Sequence, residues 1–323
     1  MIKILRYNKI LKENLIMGTF GYILGNILLP IFFLVSIGYV AQKYLRMDVR
    51  TFARLNIYIL IPAVLFVKIY EVHVSLSFVG QVLFFILIIE AVMYLLGELL
   101  SRFFKYPRGI RKAFTNSLLF FNSGNYGLPL VELTFHGNPV ATASQVFVML
   151  IQNVSTNTFG VFQVSSGKSS YRKALQNILV MPSLYVLVVV LVVKGYGFKI
   201  PAQVLLPLKY ISGGFVGLAL ITLGVQLAEV KAKFRVNDVI LASLIRLVLA
   251  PVIGFGLVWL LGIHGVLAKS LIIGASTPTA VNTAILAREF DNEPEYAAQM
   301  VLVSTLLSSA TLSVLIYILN LVF

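Results

Sequence analysis

The chain has 323 residues, 59% hydrophobic and 12% charged, with a mean hydropathy of +0.93. That is too apolar for a soluble domain, and apolar runs of about 20 residues suit helices crossing a hydrocarbon core of ~30 Å rather than the short alternating strands of a barrel. The net charge of +14 sits in short connections between those runs, which excludes a nucleic-acid-binding face, and the lack of cysteine excludes disulfides, thiolate metal sites and cysteine nucleophiles.

Hydropathy predicts an all-α integral membrane protein of ten transmembrane helices, at roughly 22–41, 52–70, 76–101, 113–133, 141–164, 175–194, 204–227, 238–262, 265–288 and 296–321. Alternate connections hold sixteen basic residues, from Lys43, Arg46, Arg50 and Arg54 through Arg102–Lys112, Lys168–Lys173 and Lys231–Arg235 to Arg288. The opposite connections hold Lys68, Lys194, Lys199, Lys209 and Lys269. The bias places the first group in the cytoplasm and both termini outside, in a multi-pass protein of the plasma membrane.

Residues 1–16 break the rule, because Lys3, Arg6, Lys9 and Lys12 would lie outside. Either they form a basic arm or they are a non-native extension and Met17 is the natural start. N-terminal sequencing that finds Met1 retained would remove the second reading.

Two spans are interrupted by residues that cannot continue a helix: Asn122-Ser123-Gly124-Asn125-Tyr126-Gly127-Leu128-Pro129 in the fourth and Thr277-Pro278-Thr279-Ala280-Val281-Asn282 in the ninth. The first break starts 105 residues after Met17, the second 107 after Ser170, which suits an internal repeat with units at 17–167 and 168–323. Five spans per unit is an odd number. The second unit must therefore be inverted relative to the first, and spans four and nine should cross in opposite directions.

Backbone freed at a break is tolerated only beside protein or a watery cavity, and a half-helix amino terminus offers N–H groups and positive dipole character to an anion. Asn122, Asn125 and Asn282 can donate and accept hydrogen bonds, Pro129 and Pro278 stop the helical ladder, and Gly124 and Gly127 allow close approach. These seven residues are the expected site for a small carboxylate.

The run Asn122 to Leu130 resembles the N-[ST]-G-N-x-G-x-P signature of the auxin efflux carrier family. Thr277-Pro278 through Ala287-Arg288-Glu289-Phe290 is similar to that family's second crossover, and Arg246 with Pro251 and Leu55-Asn56 with Pro62 also fit. The resemblance covers the chain from Met17. It implies a scaffold of spans 1, 2, 6 and 7, a mobile transport unit of spans 3–5 and 8–10, a homodimer and elevator-like alternating access. The loop at Ser165–Arg172 is short where many plant members carry a long hydrophilic one, which favours the prokaryotic branch resembling permeases for malate and malonate over carriers of auxin-like acids.

The fifth and tenth spans are polar repeat partners, carrying Gln145, Gln152, Asn153, Ser155 and Thr156, and Ser304, Thr305 and Ser308. Their residues can act as glue between helices, or Gln152, Asn153 and Thr156 can line the substrate or ion path. Arg246 and Glu90 lie deep in the eighth and third spans and need a partner or water. They can form an ion pair, or serve as anion steerer and proton carrier.

His73, His136 and His264 have no companion at metal-ligand spacing, so no metal is expected, and no cofactor beyond a coupling ion, proton or sodium. A P-loop, an acidic metal motif and a GxSxG elbow are all missing, which argues against direct ATP drive and against an intramembrane enzyme. The expectation is a secondary transporter of a small carboxylate among membrane lipids, with a ligand sensor on a transporter fold as the rival.

Overall fold

The computed structural model describes residues 18, 20–72, 75–165, 176, 178–230 and 236–323. The arm at 1–16, Met17, His73 and the basic residues at 168–173 and 231–235 lie outside these. The chain folds into helices α1 (Phe20–Leu45), α2 (Val49–Glu71), α3 (Leu76–Phe103), α4 (Arg108–Leu119), α5 (Leu128–Thr134), α6 (Pro139–Ser155), α7 (Pro182–Gly195), α8 (Ala202–Ala228), α9 (Val236–Leu260), α10 (Gly265–Ala275), α11 (Val281–Glu289) and α12 (Pro294–Val322). Six of them, α1, α2, α3, α8, α9 and α12, are long and apolar enough to cross a membrane. The protein is an all-helical integral membrane protein.

Local sequence sets the helix starts. Asp48 accepts from Arg50 N at 3.2 Å, Ser75 from Phe78 N at 3.1 Å, and Asn138, followed by Pro139, from Val140 N and Ala141 N at 3.0 and 3.2 Å. Widened π-turns at Leu24–Leu28, Asn56–Leu60 and Ser123–Gly127 each end two residues before a proline, Pro30, Pro62 and Pro129. Proline has no N–H and its ring presses on the carbonyl four residues back, so the preceding turn loosens into an i→i+5 pattern.

Packing separates the helices into two sets. In the first, α1 lies along the second half of α8, and α2 packs on α7 and on the first half of α8. In the second, α3 packs on α4, α9 and α11 on α12, and α10 on α6. The α1–α8 contact is unusually close: a Cβ on Gly224 would stand 2.0 Å from the Val35 carbonyl oxygen, and one on Gly38 2.1 Å from that of Ile221. Lys194 at the end of α7 donates to the carbonyls of Ile69, Tyr70 and Val72, capping the carboxyl end of α2.

Candidate functional site

Both expected interruptions are present, and they meet. α4 ends at Leu119 and the chain resumes as a helix at Ser123, while α10 ends at Ala275 and α11 begins at Val281. Between them the two stretches form a short antiparallel bridge: Asn122 N donates to Pro278 O at 2.8 Å and Ala280 N to Phe120 O at 3.0 Å. The freed backbone of each break is thus partly satisfied by the other, as a buried chain requires.

Side chains from neighbouring helices fix this crossing. Gln145 on α6 is fully buried and donates from Nε2 to Ser123 O at 2.8 Å. A Cβ on Gly127 would lie 2.6 Å from Gln145 Nε2, and one on Gly274 2.1 Å from its Oε1, so the carboxamide fits only between two glycines, one from each interrupted segment. From α12, Ser304 Oγ accepts from Thr279 N at 3.1 Å, and Ser308 hydrogen-bonds the buried Tyr126 hydroxyl at 3.0 Å. The polar rows of α6 and α12 therefore include residues that bind the breaks together.

Arg246, 1% exposed, donates to the carbonyls of Ala275 and Thr277 at the carboxyl end of α10, where a cation complements the helix dipole. Its guanidinium lies 5.1 Å from the ring centroid of Phe121 in the other break. Glu90 accepts instead from Gln152 Nε2 at 2.7 Å and Ser155 Oγ at 2.8 Å. The ion pair between Arg246 and Glu90 considered from sequence is not formed; each finds neutral partners nearer its own helix.

A cavity of about 500 Å³ lies against the crossing. Asn122, Gly124, Asn125 and Asn282 line it, as do Gln152, Asn153 and Thr156. Gly127, Pro129, Pro278, Arg246 and Glu90 do not: the glycine and prolines shape the breaks, Arg246 stands behind Phe121, and Glu90 reaches the wall through Gln152, whose Oε1 accepts from Phe121 N at 3.4 Å. Sequence reasoning missed Asn56, Asn157 and Gln226. Asn56 carried a signal, since it precedes Pro62 by the interval that produces a π-turn.

Eight carboxamides stand in this wall, with Glu289 the one charged side chain among the described residues, so attraction for an anion must come from dipoles and hydrogen bonds. Two helix amino termini supply them, since first-turn N–H groups have no intrahelical acceptor: Ser123 N is taken by Phe121 O at 2.8 Å, which leaves Gly124 and Asn125 at one, with Val281 and Asn282 at the other. Among the described residues, the side chains of Asn125 and Asn282 have no hydrogen-bond partner.

Membrane-crossing helices around a polar cavity at two opposed helix breaks define a membrane transporter. The model of the membrane transport protein family matches residues 24–316, and the chain belongs to this family, that of the auxin efflux carriers. It is 24% identical over 290 residues to an uncharacterized transporter of Methanothermobacter thermautotrophicus, covering 88% of this chain and 94% of that one. It is also 27% identical over 191 residues to an uncharacterized transporter of Methanocaldococcus jannaschii, covering 58% of this chain and 61% of the relative.

Proposed function

We propose that the protein is a secondary transporter of small organic anions, with malate- and malonate-like carboxylates as first candidates, working by elevator-type alternating access. The observation that carries this reading is the pair of helix amino termini, bearing Asn125 and Asn282, at one amide-lined cavity. The substrate carboxylate would take N–H groups of both termini together with these carboxamides, and Asn122 would support them.

The division of packing supports a scaffold of α1, α2, α7 and α8 and a transport unit of the other helices, within ten spans arranged as two inverted repeats at 17–167 and 168–323. The antiparallel bridge between the breaks agrees with that inversion. The charge distribution supports an orientation with both termini outside the plasma membrane. The broad apolar outer faces of α7 and the first half of α8, with Tyr185, Val188, Val192 and Tyr210 exposed, are suited to lipid or to a second copy in a homodimer.

The experiment is uptake of radiolabelled malate into proteoliposomes under imposed pH or sodium gradients, comparing the wild type with Asn125→Ala. Uptake that one gradient drives and the substitution abolishes supports carboxylate transport at the crossing. Folded protein that moves none of a panel of mono- and dicarboxylates sinks the proposal; binding without flux would favour a sensor.

A further inference from the structure

Asn56 is a stability liability on the cavity wall. It opens the π-turn of α2, is 2% exposed, and neither Nδ2 nor Oδ1 has a hydrogen-bond partner among the described residues. Gln226 on α8 lines the same cavity, and its Oε1 is likewise buried without a partner. A buried carboxamide satisfied at neither end lowers stability relative to an apolar side chain of similar size, so fold maintenance does not account for it. π-turns recur at functional sites, and this one sets an asparagine at the wall opposite the helix breaks.

Resting on the transport reading above, we infer that Asn56 and Gln226 form a second half of the substrate site, which takes an uncharged hydrogen-bonding group such as a hydroxyl. The substrate class is then a hydroxycarboxylate rather than a plain carboxylate. The carboxylate end goes to the helix amino termini, and the hydroxyl reaches the wall made by α2 and α8.

The available partners dictate this chemistry. Asn56 offers one donor group and one acceptor, and Gln226 another acceptor. A hydroxyl both donates and accepts, so it pairs with Asn56 whichever way the carboxamide is turned. A second ionised carboxylate only accepts, so at this wall it pairs with carboxamide N–H groups alone, meets no lysine or arginine among the described lining and leaves the buried carbonyls of Asn56 and Gln226 unmatched; a hydroxyl beside it supplies the missing donor. Because α2 and α8 belong to the packing set without the breaks, such a substrate is held from both sets at once.

The test uses the purified full chain and proteoliposomes, with malate and succinate as probes because they differ by one hydroxyl. Asn56→Leu should unfold at the same or a higher temperature than the wild type without ligand, yet lose the preference for malate over succinate by about ten-fold, since a site built for a hydroxyl discriminates strongly against its absence. Gln226→Met should shift the preference in the same direction and guards against a misfolded first variant. A lower melting temperature for Asn56→Leu with unchanged preference would mark the asparagine as structural and overturn the inference. Wild-type uptake without a malate preference would overturn it alone, whereas a wild type that moves no carboxylate overturns the transport reading and this inference with it.

Discussion

Lys68 Nζ and Glu132 Oε1 lie 2.6 Å apart, an ion pair that joins α2 of the proposed scaffold to α5 of the proposed transport unit. The two side chains are 22% and 15% exposed, so solvent screens them less than a surface pair. Cavity-lining residues Ala53 and Glu289 adjoin the basic connections, and this pair belongs to the opposite ends of its helices.

If the two sets slide during transport, this bond must break on that side. Lys68→Met is expected to destabilise the protein by about 1–3 kcal/mol, between the effects of surface and buried pairs, and the swap Lys68→Glu with Glu132→Lys to recover much of the loss. Because the chain has no cysteine, Lys68→Cys with Glu132→Cys can be joined by a bifunctional thiol reagent. Crosslinked protein should stop transporting; undiminished uptake would show that α2 and α5 do not separate.

Close backbone contact between α1 and α8 leads to a second expectation. At Gly224 an added methyl would stand 2.0 Å from a backbone oxygen and 2.7 Å from the Tyr39 amide nitrogen, so the helices themselves must part. Gly224→Ala should cost at least the ~1–3 kcal/mol typical of overpacking, and Gly38→Ala a similar amount. Gly217→Ala, where no atom lies within 4 Å of the added carbon, serves as control and should be neutral. Thermal unfolding in detergent measures all three.

Hydropathy and the prolines made most of the helical layout legible, including both interruptions, because Asn, Gly and Pro inside an apolar run have few explanations in a bilayer. The pairing of the breaks was legible from spacing, but not their direct bridge from Asn122 N to Pro278 O, since backbone bonds between distant segments leave no trace in side-chain chemistry. Arg246 is recognisable in the sequence as needing a partner; of the readings open there, the ion pair with Glu90 is not formed, and helix-end carbonyls, which leave no side-chain signal, satisfy it. Gln226 looks like any polar residue in an apolar span until its neighbours are known.

Arg246 provides a third test. One guanidinium nitrogen, Nη2, reaches both carbonyls while the planar group lies over Phe121; an ammonium keeps the charge without that flat face. Arg246→Lys is expected to lower stability by ~2 kcal/mol, the scale of a hydrogen bond to a charged donor, and to reduce uptake as the breaks loosen. Stability and uptake both at wild-type levels would show that the guanidinium does not hold the breaks together.

At the start of α2, the Thr51 hydroxyl first and the Arg50 amide second hold the Asp48 carboxyl below its ordinary pKa. A carboxylate with a depressed folded pKa stabilises its helix above the unfolded value of ~4 and loses that effect as pH falls through the lower folded value. Amide exchange at Arg50 and Thr51 should therefore stay slow through pH 5 and accelerate only below ~4. In Asp48→Ala it should be fast throughout, and equal rates in the two proteins would remove the cap from the account.

Glu90 offers a test of proton coupling in the proposed transport cycle. Its carboxylate accepts from Gln152 and Ser155, and Gln152 also accepts from Phe121 N between the breaks and lines the cavity, so a proton at Glu90 is one hydrogen-bonded side chain from the cavity. Glu90→Gln keeps the volume but cannot exchange a proton. It is expected to abolish uptake driven by a pH gradient while leaving exchange of malate across the membrane without a gradient within a few-fold of wild type. Retained pH-driven uptake in folded Glu90→Gln would remove Glu90 as the proton carrier and shift attention to sodium, whose coordination would have to come from the amide oxygens and freed carbonyls of the two breaks.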